Sequence, residues 1–366
     1  MDAMDLSSRL DAMLVMAFFL AVGFGALVHR SQFCTMGAIS DLVVTGDTRR
    51  LRQWAAALAV SMLSVGLMQG QGWIDVANTI YNTSGLMWMS ALVGGFCFGV
   101  GMVLASGCAS KSLVRLAAGN LKSLVVLLCM GVTALATMRG ALAVFRVQGL
   151  DVWQWDWAGR GFVGDWVSMW LGTDLWLTSA WTAALLALVL WLWAWRPSER
   201  FWKEGIGPAS VLGLLVASMW WLTGVWGWVP EHPDTLESVF LGTSSARMES
   251  MSFTAPVGYW LDALQYWSDG SKRMTVGMMM VPGVLLGAWL SALLQGSFRW
   301  EGFRQTSDLV RHMLGGCLMG FGAVTAMGCT IGQGLSGLST LSLMSVLAML
   351  AIAAGAYLTL QWEMRQ

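Results

Sequence analysis

Long apolar runs separated by short polar segments recur along the whole chain. Nine of these runs have the length that a helix needs to cross a bilayer, roughly 20 mostly apolar residues. They lie at 11–29, 53–70, 86–107, 120–138, 175–195, 209–229, 275–295, 309–328 and 339–361. The pattern predicts an all-α polytopic membrane protein with about nine transmembrane helices, surrounded by a lipid bilayer.

The composition agrees with a membrane protein. Hydrophobic residues make up 56% of the chain and charged residues only 11%, whereas a soluble domain carries about a quarter charged residues. The formal net charge is zero, so no general electrostatic attraction indicates a nucleic-acid partner. Many of the 23 tryptophans lie at the ends of apolar runs, where aromatic side chains anchor helices at the membrane surface.

Basic residues are distributed unevenly among the segments that connect the runs. They are concentrated at 30–52, 110–122, 196–208 and 296–311, whereas 71–85 and 230–274 have fewer basic than acidic residues. Positively charged connecting segments lie mainly in the cytoplasm. The distribution therefore predicts a multi-pass protein whose N-terminus lies outside the membrane and whose C-terminus lies in the cytoplasm.

A glycine-rich pattern that ends in Gly-Cys occurs twice, with its glycines and final cysteine at matching positions in both copies. The first copy is GGFCFGVGMVLASGC, ending at Cys108, and the second is GGCLMGFGAVTAMGC, ending at Cys329. The copies fall on the third and eighth predicted spans, which therefore cross the membrane in opposite directions. Such an inverted structural repeat is common in transporters, whose substrate site lies where the two halves meet.

Four short segments interrupt the pattern of full-length spans. They lie at 31–41 and 108–118 in the first half, and at 252–262 and 329–338 in the second. Each is too short to cross about 30 Å of hydrocarbon at about 1.5 Å per residue. We therefore expect short re-entrant half-helices that enter from opposite membrane faces.

These features predict one transmembrane transporter domain over residues 1–366. Its parts are a first half of about 11–138, a linking segment and helix at 139–208, and a second half of about 209–361.

The six cysteines fall into two groups. Three lie within apolar runs, where cysteine behaves as a small buried hydrophobic residue. The other three, Cys34, Cys108 and Cys329, lie at breaks between an apolar run and a short polar or glycine-rich segment. Thiols are soft, weak hydrogen-bond donors, and helix N-termini attract anions. The combination indicates a sulfur-bearing anion, and the absence of CxxC and HxxxH spacings gives no reason to expect a metal or cofactor.

Several motifs resemble those of the YeeE/YedE membrane family, which includes bacterial thiosulfate transporters. The matching strings are RSQFCTMG at 30–37 with Asp41, GVGM at 99–102, GCA at 107–109 with Arg115 and Gly119, and GCTIGQGLSGLS at 328–339. The resemblance implies that Cys34, Cys108 and Cys329 line a permeation path. It also implies a small cytoplasmic sulfur-carrier protein as a partner. The family motif commonly reads GCATG, whereas Ser110 and Lys111 follow Ala109 here.

The leading hypothesis is uptake of thiosulfate, or a closely related sulfur-containing anion, by a transporter that is not an enzyme. The predicted substrate contacts near the outer end are Cys329, Gly328, Thr330, Gly332 and Gln333, and those near the inner end are Cys108, Cys34, Gly107, Arg115 and Arg30. The two arginines fit equally well as ordinary positive residues of cytoplasmic segments.

Two alternatives stay open at this level. A membrane-embedded sulfurtransferase would hold sulfane sulfur as a cysteine persulfide, and Lys111 and Arg115 make Cys108 the candidate thiolate. A transporter of selenium species or of a soft metal ion would use the same three thiols.

Overall fold

The computed structural model describes residues 3–83, 85–156, 161–195, 202–233, 236–269 and 273–365. Helices form nearly all of the regular structure within these ranges. They are α1 (Ala3–Ser31), α2 (Thr35–Val44), α3 (Arg49–Gly70), α4 (Trp88–Leu104), α5 (Ala109–Ala117), α6 (Leu121–Arg139), α7 (Ala141–Phe145), α8 (Val163–Leu171), α9 (Leu175–Ala194), α10 (Gly207–Trp221), α11 (Thr254–Gln265), α12 (Val276–Leu294), α13 (Thr306–Thr325) and α14 (Leu343–Glu363).

Shorter elements complete the description. A 3₁₀ turn covers Val76–Asn78, and π-helical turns cover Arg146–Leu150, Trp202–Ile206, Leu222–Trp226 and Gly332–Gly337. The two strands, β1 (Trp228–Val229) and β2 (Val239–Phe240), pair antiparallel in the segment after α10.

Eight helical segments within the described residues are long and apolar enough to span a membrane. Their bounds are Leu6–Val44, Arg49–Gly70, Trp88–Ala117, Leu121–Arg139, Leu175–Ala194, Gly207–Trp226, Val276–Leu294 and Leu343–Glu363. The prediction of an all-α polytopic membrane protein is therefore confirmed. The remaining predicted span, 309–328, corresponds to α13, whose 20 residues include Asp308, Arg311 and His312 in the first two turns. These residues lower its mean hydropathy, so the number nine stays a prediction.

The chain is interrupted at the four places that the sequence indicated. Helices α2, α5 and α11 contain 10, 9 and 12 residues, and a short helical segment with π-helical turns follows Cys329. A helix of about 10 residues is only about 15 Å long. None of these four segments has the length of a membrane span.

The two glycine-rich helices, α4 and α13, pack against each other in antiparallel orientation. Gly94 lies against the Gly322 carbonyl, whereas Gly101, farther along α4, lies against Gly315, which is earlier in α13. A Cβ atom added to Gly101 would be 2.6 Å from the Gly315 carbonyl oxygen. Glycine is therefore required here because the two backbones approach too closely for any side chain.

Equivalent glycines of the two copies have equivalent packing partners. A Cβ atom on Gly95 would lie 2.7 Å from the Ala348 carbonyl oxygen of α14, and one on Gly316 would lie 2.7 Å from the Val126 carbonyl oxygen of α6. Helix α1 packs against α12 and α3 packs against α10. Helices from the first part of the chain thus contact helices from the last part throughout the bundle.

The linking region contacts both halves, since α9 packs against α3 and the Val163 N–H donates to the Leu341 carbonyl at 3.0 Å. Within its described part, α9 packs against α3 and α8. The two glycine-rich helices, α4 and α13, pack against each other and against α14 and α6. The chain breaks that follow α4 and α13 place Cys108 and Cys329 in buried positions.

Candidate functional site

A left-handed turn precedes the cysteine of each Gly-Cys motif. Ser106 has φ of 54° and Met327 has φ of 58°, and the two residues occupy equivalent positions of the glycine-rich copies. The following glycines, Gly107 and Gly328, donate their N–H groups back to α4 and α13 at 2.8 and 2.7 Å. This hydrogen bond closes a helix C-terminus of the Schellman type. The chain consequently leaves each long helix abruptly and presents its cysteine at the start of a short one.

All three predicted site cysteines lie at helix N-termini. Cys34 is the N-cap of α2 and its sulfur accepts a hydrogen bond from the Gly37 N–H at 3.4 Å. Cys108 is the N-cap of α5. Cys329 precedes a short helical segment, and its sulfur accepts from the Gly332 N–H at 3.5 Å. The first N–H groups of a helix carry partial positive charge and lack intrahelical partners, so each sulfur lies where an anion is favoured.

Cys34 and Cys108 lie together although they are distant in the sequence and belong to different motifs. Their thiols contact each other, and the Cys108 sulfur is 3.4 Å from the Ser110 hydroxyl. The two residues are 8% and 1% exposed. The contact joins the N-termini of α2 and α5 in a buried position.

The second Gly-Cys motif reaches the same place through Thr330. Its side chain neighbours the thiol of Cys108, and its buried hydroxyl has no hydrogen-bond partner. Cys329, the preceding residue, is fully buried, and its sulfur lies 3.9 Å from the hydroxyl of Ser252. We refer to Cys34, Cys108, Cys329 and Thr330 as the thiol cluster.

Gly332 and Gln333 begin the π-helical turn Gly332–Gly337, directly after Cys329, Thr330 and Ile331. The Gly332 carbonyl accepts a hydrogen bond from the Tyr81 hydroxyl. The Gln333 amide nitrogen donates to the Ala326 carbonyl, whereas its side-chain oxygen has no partner. Irregular helical backbone of this kind is frequent at functional sites.

Unpaired buried hydroxyl groups recur at the first turns of the short helices. Thr35 follows Cys34 and Thr254 begins α11, and neither hydroxyl has a hydrogen-bond partner. The two residues are 5% and 1% exposed. Burying a hydroxyl without a partner costs about 1–3 kcal/mol. A bound ligand with acceptor oxygens would recover this cost.

The two predicted arginines have different surroundings. Arg115 donates to the Ser106 carbonyl at 2.8 Å, so its guanidinium group crosses the turn that leads to Cys108. Arg30 is exposed in the last turn of α1 and makes no hydrogen bond or ion pair with the cysteine motifs in the described chain. The structure therefore brings Arg115, but not Arg30, into contact with a Gly-Cys turn.

Three neighbours of the cluster were not predicted as site residues. Tyr81 comes from the connecting segment after α3 and is only 2% exposed, and this segment is held in place by a hydrogen bond from the Ile80 N–H to the Met248 carbonyl at 3.3 Å. Ser252 precedes α11. Lys111 lies one helical turn after Cys108. Lys111 and Ser252 lie inside the short interrupted segments, and this position was the one sequence feature that could have indicated them as site residues. Nothing in the sequence indicates Tyr81.

Across the described residues, no group of three or more His, Cys, Asp or Glu side chains has an arrangement that would hold a metal ion. All six cysteines are free thiols.

The fold and the cluster define a class: a polytopic helical membrane protein in which short helical segments begin at three buried cysteines. The family model described as sulphur transport matches residues 30–358. The chain belongs to this family.

Curated relatives align over most of the chain. It is 29% identical over 334 residues to the thiosulfate transporter TsuA of Spirochaeta thermophila, covering 87% of this chain and 90% of that protein. It is 26% identical over 326 residues to the thiosulfate transporter TsuA of Escherichia coli, covering 85% and 83%. A shorter similarity, 31% over 107 residues, relates it to the probable transporter YedE of Escherichia coli, covering 29% and 24%.

Proposed function

We propose that this protein takes up thiosulfate, or a closely related sulfur-containing anion, across the bacterial inner membrane along a path lined by Cys34, Cys108 and Cys329. One observation carries the proposal: three buried cysteines from distant motifs each lie at a helix N-terminus, and Cys108 neighbours both Cys34 and Thr330, the residue after Cys329. Relatives that align over 87% and 85% of the chain are named thiosulfate transporters.

The anion would pass from the second Gly-Cys motif to the first. Near the outer end its contacts are Cys329, Gly328, Thr330, Gly332 and Gln333. Near the inner end they are Cys108, Cys34, Gly107 and Arg115, with the exposed Arg30 beyond them. The contact between Thr330 and Cys108 supports a continuous route between the two groups.

Neutral donors suit the central part of this route. A thiol donates a weak hydrogen bond without carrying charge, so it binds a dianion too weakly to trap it. The unpaired hydroxyls of Thr35 and Thr330 add donors where water is excluded. Passage also requires an opening movement, because Cys108 and Cys329 are 1% and 0% exposed.

Entry of a dianion against a negative interior is unfavourable by about 4.6 kcal/mol at about 100 mV. Proton coupling or chemical consumption of the anion in the cytoplasm offsets this term. The family resemblance supports a small cytoplasmic sulfur-carrier protein as the recipient.

The proposal includes an orientation and a division of the chain. Residues 11–138 and 209–361 form two inverted halves, linked by 139–208, with a periplasmic N-terminus and a cytoplasmic C-terminus. The antiparallel packing of α4 and α13 and the alternation of basic segments support this arrangement.

A second candidate, a membrane-embedded sulfurtransferase, is favoured by the cations beside Cys108. Lys111 and Arg115 lie near its thiol. In that reaction the Cys108 thiolate attacks the sulfane sulfur, the sulfur–sulfur bond of thiosulfate breaks, and sulfite leaves with the electron pair. The product is a persulfide on Cys108.

Uptake of doubly labelled thiosulfate into proteoliposomes that contain only this protein distinguishes the candidates. Intact thiosulfate carrying both labels inside the vesicles supports transport. Separation of the labels, with a persulfide on Cys108 detected by mass spectrometry, supports the sulfurtransferase. If selenite or a soft metal ion inhibits uptake at a lower concentration than unlabelled thiosulfate does, that species is the better candidate for the substrate. Absence of any uptake would contradict the proposal.

A further inference from the structure

Lys111 lies near both Cys34 and Cys108, the two neighbouring cysteines at the N-termini of α2 and α5. It is the third residue of α5, one turn after Cys108. Its ammonium group donates to the side-chain oxygen of Gln32 at 2.8 Å, and the Gln32 amide nitrogen donates to the His29 carbonyl at 2.8 Å. Lys111 therefore joins α5 to the turn between α1 and α2, across the mutual contact of Cys34 and Cys108.

The aliphatic stem of Lys111 is held by packing. A Cβ atom on Gly107 would lie 3.4 Å from the Lys111 Cγ, so the stem covers the glycine of the Gly-Cys motif. From this position the ammonium group interacts electrostatically with Cys34, Cys108, Arg115 and Arg50. The charged group is thus fixed beside both thiols.

The three nearby cations differ in how their charges are compensated. Arg50 forms an ion pair with Asp41 at 3.3 Å, and Arg115 donates to a backbone carbonyl. The hydrogen-bond partner of Lys111 is a neutral amide. An ammonium group has three N–H donors, of which Gln32 takes one. The unpaired hydroxyl of Thr35, 5% exposed, adds a donor next to Cys34.

The second Gly-Cys motif has no such cation. When the two motifs are aligned on their cysteines, Lys111 corresponds to Gly332. A Cβ atom there would lie 3.0 Å from the Ser252 hydroxyl and 3.8 Å from the Tyr81 hydroxyl. Neutral hydroxyl groups therefore occupy the space that a lysine would need. The two motifs share the left-handed turn that precedes the cysteine. They differ by one charge at the position of Lys111 and Gly332.

We propose that Lys111 determines specificity for doubly charged sulfur oxyanions: its ammonium group moves from Gln32 to the charged oxygens of an anion held at Cys34 and Cys108. This inference rests on the proposed transport function. The electrostatic energy is proportional to the charge of the anion. Since the site is half-buried, screening by salt is weaker than at an exposed surface. A dianion therefore gains about twice the free energy that a monoanion gains.

The test compares variants of the full-length protein in proteoliposomes. The variants are Lys111→Gln, Lys111→Met and Lys111→Arg, with Arg49→Gln as control, because the Arg49 side chain is 70% exposed and its removal changes the net charge equally. The measured quantities are the KM for thiosulfate and the inhibition constant of methanethiosulfonate, a monoanion that also ends in a sulfane sulfur. Thermal unfolding in detergent verifies that each variant is folded.

We expect Lys111→Gln and Lys111→Met to raise the KM for thiosulfate about tenfold and the inhibition constant of the monoanion only about threefold. Lys111→Arg and Arg49→Gln should keep values near those of the unmodified protein.

Unchanged KM in both neutral variants, or an equal loss for dianion and monoanion, would overturn the role of Lys111 while leaving the transport function intact. If only one neutral variant folds, that variant gives the comparison, and the arginine variant tests whether the charge alone is sufficient. Absence of thiosulfate uptake by the unmodified protein would instead contradict the transport function, and this inference with it.

Discussion

The thiol of Cys108 neighbours the side chain of Thr330, the residue that follows Cys329. Cys108 ends the first glycine-rich copy and Cys329 ends the second, so this single contact joins the two Gly-Cys motifs. Because α4 and α13 pack antiparallel, their C-terminal ends lie at opposite ends of the helix pair. The two residues can meet only because the chain turns back into the bundle after each left-handed turn, at Ser106 and at Met327. On the proposed route, an anion that leaves one motif would reach the other inside the protein.

Replacement of Cys108 or Cys329 by alanine should reduce thiosulfate uptake to background. Each substitution removes a soft donor from a position with 1% or 0% exposure, where water does not replace it. Uptake by proteoliposomes is the measurement. Cys97→Ala is the matched control, because Cys97 is a half-buried thiol of α4 outside the thiol cluster, and it should keep normal uptake. Full activity in both site variants would contradict a path lined by cysteines.

Oxidation should link Cys34 to Cys108 and block uptake. Their thiols are already in contact, and the diazene reagent diamide accepts two electrons and two protons from a thiol pair, becoming a hydrazine as the disulfide forms. We expect uptake to fall after diamide treatment and to return after reduction. Cys34→Ser should prevent formation of this disulfide, which peptide mass spectrometry identifies.

A second pair of contacting thiols must be removed for a clean result. Cys129 and Cys317 also interact with each other, so the experiment uses a background in which both are serine. Persistent inhibition by diamide in a protein that also lacks Cys34 would contradict the assignment of the effect to the Cys34–Cys108 pair.

The sequence could predict those parts of the site that depend on residues close together in the chain. The breaks at Cys34, Cys108 and Cys329 follow from the ends of apolar runs, and the repeated glycines mark a close contact between helices. Local composition also explains why α13, the predicted span at 309–328, is not among the eight helical segments apolar enough to cross a membrane. In α13, the Asp308 carboxylate pairs with Lys122 of α6 at 2.7 Å and with His312 at 3.0 Å, so charged groups that lower hydropathy are compensated by packing.

The unpredicted part depends on long-range contacts. Tyr81 and Gly332 are 251 residues apart, and their hydrogen bond requires the segment after α3 to fold inward against the segment that follows Cys329. The bond from Lys111 to Gln32 spans 79 residues. No periodicity or spacing encodes such pairs, because they arise only after helices from both ends of the chain have packed together.

The contact between α4 and α13 should not tolerate even a methyl group. In Gly101→Ala the new Cβ would lie 2.6 Å from the Gly315 carbonyl oxygen, so the helices must separate. We expect a loss of about 1–3 kcal/mol in the free energy of unfolding, measured as a lower thermal midpoint in detergent. Gly302→Ala is the control because its Cβ would meet no atom within 4 Å. Equal midpoints for the two variants would show that the helices do not pack this closely.

Removal of the Tyr81 hydroxyl should destabilise the second Gly-Cys segment. In Tyr81→Phe the Gly332 carbonyl loses its donor in a buried position, at a cost of about 1–3 kcal/mol. Thermal unfolding measures the loss. Tyr357→Phe removes a hydroxyl that is hydrogen-bonded to Gln361 at 3.1 Å but is 46% exposed, so its midpoint should change little. A Tyr81 variant as stable as the Tyr357 variant would contradict the contact.

Glu249 should make stability decrease as the pH rises. Burial raises the pKa of Glu249 above its ordinary value, and hydrogen bonds from Ser245 only partly oppose this. Between the ordinary pKa and the raised one, the folded protein binds more protons than the unfolded chain. The contribution of Glu249 to stability is therefore complete below the ordinary carboxyl pKa and is lost as the pH rises through the folded pKa.

Thermal midpoints from about pH 4 to about pH 8 test this sign. Glu249→Gln keeps an acceptor for the Ser245 hydroxyl but cannot ionise, so it should gain stability relative to the unmodified protein as the pH rises. The same substitution at the exposed Glu237 should leave the pH profile unchanged. A difference between Glu249→Gln and the unmodified protein that is constant across the range would mean that Glu249 titrates alike in the folded and unfolded states. Burial also raises the pKa values of the neighbouring Tyr81 and Tyr259. A constant difference would mean that burial at this place does not change the proton affinity of Glu249.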